Sequence, residues 1–372
     1  MAGGAGTLDA MALEGKRADM VVHERDPFNA ETPRYALAEG DVTALDAFYV
    51  RNHGPVPELD ESDWRLCVDG LVERELELSL TGLRERFEDR SVVATLQCAG
   101  NRREGLVAVG DIPGEAPWGP GATGNAAWRG VALVDVLRAA GLRDGARYVA
   151  FEGADTSPEA EPPQSFGASI PLHKALASEV LLAWEMNGEP LPAVHGAPLR
   201  VVVGGYIGAR SVKWLQRITA LGAPTENFFQ RTYRLLPADA DPDQAPADAG
   251  IVLGAVAVNS DILVPADGET VAAGLVDVSG YAFAGDDRRI VRVDVSTDGG
   301  GEWQQARLLD DLGPWAWRRW QAQVALEAGR AEITARAWDS AAATQPEDPA
   351  QLWNPKGYVN NAWARITVDV KS

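Results

Sequence analysis

The chain has 372 residues and a formal net charge of −20, from 34 Lys and Arg against 54 Asp and Glu. This length predicts two or three domains, because a single hydrophobic core stops growing at about 250–300 residues. Hydrophobic residues make up 46% and charged residues 24%, which excludes a disordered or collagen-like chain. The negative charge and the lack of any Lys/Arg-rich run argue against nucleic-acid binding, since phosphate contacts need a basic surface.

The number of cysteines and the hydropathy of the chain exclude further classes of protein. Cys67 and Cys98 are the two cysteines of the sequence, too few for a disulfide framework, a Cys-rich zinc site or a four-thiolate iron–sulfur cluster. No stretch approaches the ~18 uninterrupted apolar residues of a membrane span, and the opening residues lack the basic and then apolar order of a secretory signal. We therefore expect a soluble, cytoplasmic protein.

The first part of the chain mixes strand and helix patterns. Residues 1–40 are rich in Gly, Ala and acids, with little periodicity, and predict an extended N-terminal arm. Residues 41–235 follow as the first domain. Within it, apolar alternation at 76–80 predicts a strand, and VALVDVLRAAG predicts a helix capped by Gly141. LRVVVGGYIG, residues 199–208, predicts a strand buried on both faces.

The second part of the chain has an all-β pattern. Residues 236–250, LPADADPDQAPADAG, contain prolines and acids that exclude helix and central strand, and predict a linker. Residues 251–372 contain β-rich runs separated by turn residues, with a hairpin signal at residues 298–300. The fold class predicted is α+β: a mixed α/β domain followed by an immunoglobulin-like sandwich.

The segment VVATLQCAGNRR is the most informative for chemistry. It places Cys98 at the end of an apolar strand, in a turn followed by two arginines. A thiolate is the reactive and metal-ligating form of cysteine, and adjacent cations lower a free thiol pKa of ~8.5. Simple burial is the alternative and suffices for Cys67. For Cys98, the polar and positive turn favours a functional role.

Two other segments place arginines among aromatic residues. FYVRNHG contains Arg51 and His53, and WAWRRW contains Arg318 and Arg319. A structural cation–π role is one interpretation. The other is that these arginines line a pocket for an oxyanion beside the Cys98 thiolate.

These segments carry a family resemblance over nearly the whole chain, from about Pro27 to the C-terminus. The sequence resembles the sulfite oxidase family of molybdenum enzymes in FYVRNHGPVPELD, TLQCAGNRR, FEGAD, ASIPL, LLAWEMNGEPLPAVHGAPLRVVV, GARSVKWL, WAWRRWQ and NAWARI. The resemblance implies that Cys98 ligates molybdenum held by a single molybdopterin. It assigns cofactor binding to Tyr49, Val50, Arg51, Asn52, His53, Asp155, His195, Arg200, Ser211, Val212 and Lys213.

The resemblance also implies a substrate pocket, a reaction and partners. The pocket is formed by Arg51, Arg103, Trp118, Tyr233 and Arg318. The implied reaction is oxidation of sulfite to sulfate by oxygen-atom transfer. Electrons pass to an external acceptor, oxygen or a cytochrome, because the sequence contains neither a cytochrome b5-like module nor a C-x-x-C-H motif. The second domain is implied to form a homodimer.

Three rival functions stay open from the sequence. A nitrate reductase of the same superfamily tends to have cysteine at the position of Arg318 and fuses haem and flavin modules. A methionine-sulfoxide reductase usually lacks the second domain and carries an export signal. A non-catalytic anion-binding protein would be favoured by loss of Cys98 or of a cationic pocket residue, yet all are present.

Overall fold

The computed structural model describes residues 15–246 and 248–372. The N-terminal part contains an antiparallel hairpin, β1 (Val21–Arg25) and β2 (Phe28–Glu31), and a 3-10 turn at Arg34–Leu37.

This hairpin adds strand pairing that the expectation of an extended arm did not include. Residues 1–14 of that arm lie outside the described residues, but the rest pairs as strands. Phe28 and Ala30 pack with Val50 in a small apolar cluster, and Ala30 also pairs with Val50 through backbone hydrogen bonds. The cluster anchors the arm to the first domain.

The first domain contains two five-stranded sheets and short helices. Its strands are β3 (Leu66–Gly70), β4 (Leu76–Leu78), β5 (Asp89–Gln97), β6 (Thr123–Ala132), β7 (Tyr148–Ser157), β8 (Gln164–Pro171), β9 (Leu181–Met186), β10 (Glu189–Pro190), β11 (Arg200–Val202) and β12 (Leu215–Leu221). Its helices are α1 (Leu80–Arg86), α2 (Arg103–Val107), α3 (Leu133–Ala140), α4 (Leu172–Ala175) and α5 (Phe228–Thr232), with 3-10 turns at Ala193–His195 and Gly208–Arg210.

The two sheets differ in strand direction. One has the order β4-β3-β12-β7-β8, in which β12 runs parallel to β3 and antiparallel to β7. The other has the order β10-β9-β6-β5, all antiparallel, with β11 also paired to β9. Apolar residues of both sheets and of helix α3 form one continuous core, which fixes the strand ends that carry the site.

Local sequence signals explain where several elements end. The predicted helix is confirmed as α3, and Gly141 follows it with φ 74°. The strand predicted at 76–80 ends at Leu78, because Ser79 caps α1 by accepting a hydrogen bond from the Gly82 amide. The strand predicted at 199–208 is shorter, β11, because Gly205 turns the chain with φ 79°.

The second domain is a sandwich of two sheets, as predicted. Strands β13 (Arg234–Leu235) and β14 (Ile251–Val252) pair on either side of the linker. The sandwich strands are β15 (Asn259–Val264), β16 (Thr270–Ala272), β17 (Gly274–Phe283), β18 (Ile290–Ser296), β19 (Gln304–Gln305), β20 (Arg307–Leu308), β21 (Arg318–Leu326), β22 (Gly329–Asp339) and β23 (Ala364–Lys371), with a 3-10 turn at Pro349–Gln351. They form the sheets β15-β17-β21-β20 and β16-β23-β22-β18-β19 around their own apolar core.

The sandwich also supports the end of strand β5, where Cys98 follows. The Trp317 amide donates to the Thr95 hydroxyl at 2.8 Å, and the Val359 amide donates to the Ala99 carbonyl at 2.9 Å. The Asn259 amide nitrogen donates to the Gln97 side-chain oxygen at 2.9 Å. The second domain therefore helps to fix the backbone around Cys98.

Candidate active site

The turn after β5 presents the Cys98 sulfur. The Cys98 amide donates to the Ala122 carbonyl at 2.9 Å, and the Cys98 carbonyl accepts from the Asn101 amide at 3.0 Å. A side chain at Gly100 would meet the Arg103 guanidinium, since a Cβ there would lie 2.6 Å from its Nη2. Glycine at position 100 therefore lets a buried cation pack directly beneath the turn.

Cys98 opens onto a cavity of about 690 Å³. Part of this volume is open to solvent, so a ligand could enter from outside. The cavity collects most of the site residues predicted from the sequence, namely Tyr49, Val50, Arg51, Asn52, His53, Cys98, Asp155, His195, Arg200, Ser211, Lys213 and Tyr233. Residues as far apart in the sequence as Tyr49 and Tyr233 therefore line the same cavity.

Two cations line the cavity, the buried Arg200 and the half-buried Lys213. The Arg200 guanidinium donates to the His195 carbonyl at 2.9 Å and to the Ser211 carbonyl at 3.0 Å. The Lys213 ammonium donates to the Val194 carbonyl at 3.1 Å and contacts the Asn52 side-chain oxygen. Burial lowers the pKa of Arg200 to about 10 and, together with the charge of Arg200, lowers that of Lys213 well below its usual value. A bound anion would offset the free-energy cost of keeping these two cations charged away from water.

Asp155 leaves one polar atom without a partner at the same cavity. Its Oδ1 is buried and accepts no hydrogen bond within the described part of the chain. Burial raises the pKa of Asp155 to about 6. Buried polar atoms are normally hydrogen-bonded, so this oxygen indicates a ligand that brings N–H donors.

A neutral histidine and a tyrosine form the other part of the wall. His53 Nε2 lies 2.8 Å from the Tyr233 hydroxyl, and His53 Nδ1 lies 2.8 Å from the Glu159 carboxylate. Burial first, and then the charge of Arg51, lower the pKa of His53 to about 4. The Glu159 carboxylate favours the tautomer with the hydrogen on Nδ1, in which Nε2 accepts a hydrogen bond from the Tyr233 hydroxyl and orients it.

Acid pH should destabilise the protein through His53. An unfolded histidine has a pKa of ~6.5, so between pH 6.5 and 4 the unfolded chain binds a proton that the folded chain does not. The free energy of unfolding therefore falls as pH falls, by up to about 3 kcal/mol at this one group. Urea unfolding at pH 7 and pH 4.5 should show a smaller loss in His53→Gln than in the unmodified protein. An equal loss in the two proteins would contradict this assignment.

Three predicted residues lie behind the cavity wall. Arg103 is buried, donates to the Ala116 carbonyl at 2.7 Å, and lies over the Tyr358 ring at 5.3 Å. Trp118 shares an apolar cluster with Cys98. Val212 is buried, and its carbonyl accepts from the Val201 amide at 2.8 Å. These residues support the wall, and the predicted direct roles of Arg103, Trp118 and Val212 stay predictions.

The structure corrects the pocket role expected for Arg318. Its guanidinium pairs with Asp311 at 2.8 Å, and it lines a separate cavity of the sandwich beside Arg288 and Arg289. The tryptophans before it turn toward the first domain instead: the Trp317 indole donates to the Asp41 carbonyl at 2.9 Å, and the Trp315 ring lies 4.2 Å from the Lys174 ammonium. Strand β21 therefore directs Arg318 away from the Cys98 cavity.

The pKa of Cys98 differs from the sequence expectation. Burial raises it, and this effect outweighs the charges of Arg103 and Arg51, which lower it. The cations are adjacent as predicted, but the dry environment favours the neutral thiol. Binding of a metal ion would still displace the proton, since only the thiolate is a ligand.

Lys16 and Glu159 complete the site, and sequence reasoning missed both. The Lys16 ammonium contacts His195 Nε2 at 2.6 Å and donates to the Phe48 carbonyl at 2.8 Å. Lys16 lies in the arm and Glu159 in a Pro-rich loop, and neither belongs to a local motif. They are identified by their contacts in the folded chain.

The chemistry of the cavity fits a molybdopterin with its metal. Cys98 offers a soft sulfur donor, Arg200 and Lys213 offer donors to a phosphate, and Asp155 can accept from amino groups of a heterocycle. No group of three or more His, Cys, Asp or Glu side chains suited to a metal ion occurs across residues 15–246 and 248–372. Cys98 would therefore be supplemented by donors of the cofactor itself.

Comparisons with known proteins agree with this site. A family profile described as oxidoreductase molybdopterin binding domain matches residues 53–229, and one described as Mo-co oxidoreductase dimerisation domain matches residues 252–371. Sulfite oxidase of Gallus gallus is 44% identical, over 92% of this chain and 76% of that protein. Sulfite oxidase of Arabidopsis thaliana is 38% identical, over 94% of each protein. This chain belongs to the sulfite oxidase family.

Other comparisons define the limits of that similarity. The solved structure of sulfane dehydrogenase SoxCD from Paracoccus pantotrophus matches with a TM-score of 0.79 and 29% identity, over 93% of this chain and 85% of that chain. Nitrate reductase of Hordeum vulgare is 38% identical over 93% of this chain but 41% of that enzyme. The chain spans about two thirds of the length of its mammalian relatives.

Membership of the sulfite oxidase family establishes three of the sequence predictions. The protein is an enzyme, its cofactor is molybdenum with molybdopterin, and its second domain is of the dimerisation type. No helix within the described residues is long and apolar enough to cross a membrane.

Proposed function

We propose that this protein oxidises sulfite to sulfate and passes two electrons to an external acceptor. The balanced half-reaction takes sulfite and one water to sulfate, two protons and two electrons. One observation carries the proposal: the buried Cys98 sulfur faces a cavity that also holds Arg51 and Tyr233. The sulfite oxidases of animals and plants that resemble this chain support the choice of substrate.

The metal and its pterin would supply the oxygen-atom transfer and accept the electrons. The residues of this chain bind and orient. Cys98 would hold the metal through its thiolate, and Arg200 and Lys213 would hold the phosphate of the pterin. Arg51 brings a positive charge into the cavity, where a partly dry environment strengthens its attraction for a dianion. The Tyr233 hydroxyl lies 2.8 Å from His53 Nε2 and can turn its single hydrogen from that nitrogen to a bound oxyanion.

Nitrate reduction is the alternative function. Arg318 was the residue expected to discriminate the two, yet it lies outside the Cys98 cavity. Sulfite is favoured by the relatives, because the matches to sulfite oxidases of Gallus gallus and Arabidopsis thaliana cover 76% and 94% of those proteins, whereas the match to nitrate reductase covers 41% of that enzyme.

The decisive assay uses the molybdenum-loaded protein. We expect anaerobic sulfite to reduce it, and subsequent mixing with ferricyanide, oxygen or cytochrome c to reoxidise it. Nitrate with a reduced dye should give no comparable turnover. Nitrate reduction without sulfite-dependent reduction of any acceptor would overturn the proposal.

The proposal also covers the oligomeric state of the protein, its electron acceptor and its location in the cell. A homodimer is supported by the family profile that matches the second domain. An external cytochrome as acceptor and a cytoplasmic location stay predictions. Sedimentation, stopped-flow mixing with cytochrome c and cell fractionation would test these three points in turn.

A further inference from the structure

A carboxylate holds two cations behind the Cys98 turn. Glu115 Oε2 lies 3.0 Å from Arg103 Nη2, and Glu115 Oε1 lies 3.0 Å from the Lys356 ammonium. The Arg103 side chain is 3% exposed and that of Glu115 17% exposed, so solvent screens this pair weakly. The three residues come from two domains, since Lys356 belongs to the sandwich.

The same carboxylate shares the Arg103 guanidinium with two backbone carbonyls. Besides Glu115, the Arg103 guanidinium donates to the Ala116 carbonyl at 2.7 Å and to the Lys356 carbonyl at 3.1 Å. Arg103 is therefore anchored on the Glu115 side, and it does not line the cavity that Cys98 lines. A guanidinium has five N–H donors, so these three contacts leave donors for a further acceptor.

Arg103 nevertheless lies next to the cavity wall. Its Nη2 would lie 2.6 Å from a Cβ placed on Gly100, two residues after Cys98. Its guanidinium covers Tyr358, which stacks on Tyr233 at 5.5 Å between ring centroids. Burial first, and then the charge of Glu115, raise the pKa of Tyr358, so the field of this carboxylate reaches the ring that stacks on Tyr233.

We propose that Glu115 acts as a resident anion that competes with the dianionic substrate and product for Arg103 and Lys356. It sets how tightly this site holds sulfite and sulfate. A negative charge fixed at hydrogen-bond distance from both cations lowers their attraction for a second anion. Glu115 is thus a specificity-determining residue that keeps anion binding weak and favours release of sulfate. The inference rests on the proposed function for the identity of the anion.

The neutral variant Glu115→Gln gives the direct test. In the molybdenum-loaded protein, calorimetric titration with sulfate should show about tenfold tighter binding, because the amide keeps the shape and removes the competing charge. The KM for sulfite should fall by a similar factor, with a smaller change in kcat. The variant Glu115→Asp keeps the negative charge and should bind sulfate less tightly than Glu115→Gln. Unchanged or weaker sulfate binding in folded Glu115→Gln would overturn the inference.

A control and a second variant keep the test decisive. Glu347, 3.5 Å from Arg365 on the sandwich, is a paired carboxylate away from the Cys98 cavity, and Glu347→Gln should leave sulfate binding unchanged. Lys356→Met removes one of the two cations, so Glu115 then pairs with Arg103 only. Sulfate binding should therefore weaken about tenfold. If Glu115→Gln does not fold, unaltered sulfate affinity in Lys356→Met would overturn the inference.

Failure of this inference can be separated from failure of the proposed function. Sulfate binding is measured without turnover. Tighter sulfate binding by Glu115→Gln in a protein that does not oxidise sulfite would support the inference and refute the function. Sulfite oxidation with unchanged sulfate affinity would refute the inference alone.

Discussion

Replacing Cys98 by serine should abolish sulfite oxidation and leave the fold intact. The change keeps the volume of the side chain nearly constant, so the turn and its hydrogen bonds to Ala122 and Asn101 can persist. A hydroxyl is a harder and less acidic donor than a thiol, and it should not replace the sulfur at a metal that favours soft ligands. We expect turnover to fall at least a thousandfold, to the background of the assay, as sulfite-dependent ferricyanide reduction would show.

Cys67→Ser is the matched control for this change. Cys67 lies on β3, outside the cavity, and pairs with Glu77 of β4. The same chemical substitution there should leave turnover unchanged. Normal turnover in Cys98→Ser would show that the sulfur of Cys98 is not required.

Arg200→Met should remove the cofactor from the purified protein. Arg200 is buried, lies over the Trp128 ring at 5.0 Å, and holds the carbonyls of His195 and Ser211. Loss of the guanidinium removes an anion-binding fork and leaves these two carbonyls without their donor. Affinity for the cofactor should fall by about 10–100-fold, the range seen when groups that support a metal site are removed. Molybdenum and pterin content per chain after gel filtration would measure the loss.

The matched control replaces an arginine outside the cavity. Arg318→Met removes the ion pair with Asp311, on the sandwich, and should retain full cofactor content and an unchanged KM for sulfite. Arg200→Lys should retain part of the cofactor, because a lysine supplies a point charge without the fork. Equal cofactor content in Arg200→Met and Arg318→Met would contradict the role of Arg200.

Short-range patterns predicted much of the fold. The periodicity of VALVDVLRAAG locates α3 to within a few residues, because an amphipathic face and a terminal glycine are local properties. The change to β-rich runs separates the sandwich from the first domain for the same reason. The hairpin β1–β2 was missed because its strands are short and β1 is largely exposed, so no apolar alternation marks it.

The candidate site was predictable where residues stand in a recognisable segment. Cys98 and Arg51 belong to such segments, and the fold brings them to one cavity. Arg318 belongs to one as well, but the sequence does not reveal which residue of WAWRRW faces the first domain. Lys16 and Glu115 act through contacts with residues far along the chain, and their own surroundings in the sequence are unremarkable.

Electrostatic environment was the least predictable property. The arginines near Cys98 are visible in the sequence, whereas the burial that dominates its pKa is a property of the folded chain. The neutral state of His53 has the same origin. Burial depends on residues from both domains, which no single segment specifies.

X-ray absorption at the molybdenum edge tests the central claim most directly. In the loaded protein, the thiolate of Cys98 should contribute one sulfur to the metal, in addition to the sulfurs of the pterin. The number of sulfur neighbours should therefore fall by one in Cys98→Ser and stay constant in Cys67→Ser. An unchanged number in Cys98→Ser would contradict the assignment of Cys98 as the protein's ligand to molybdenum.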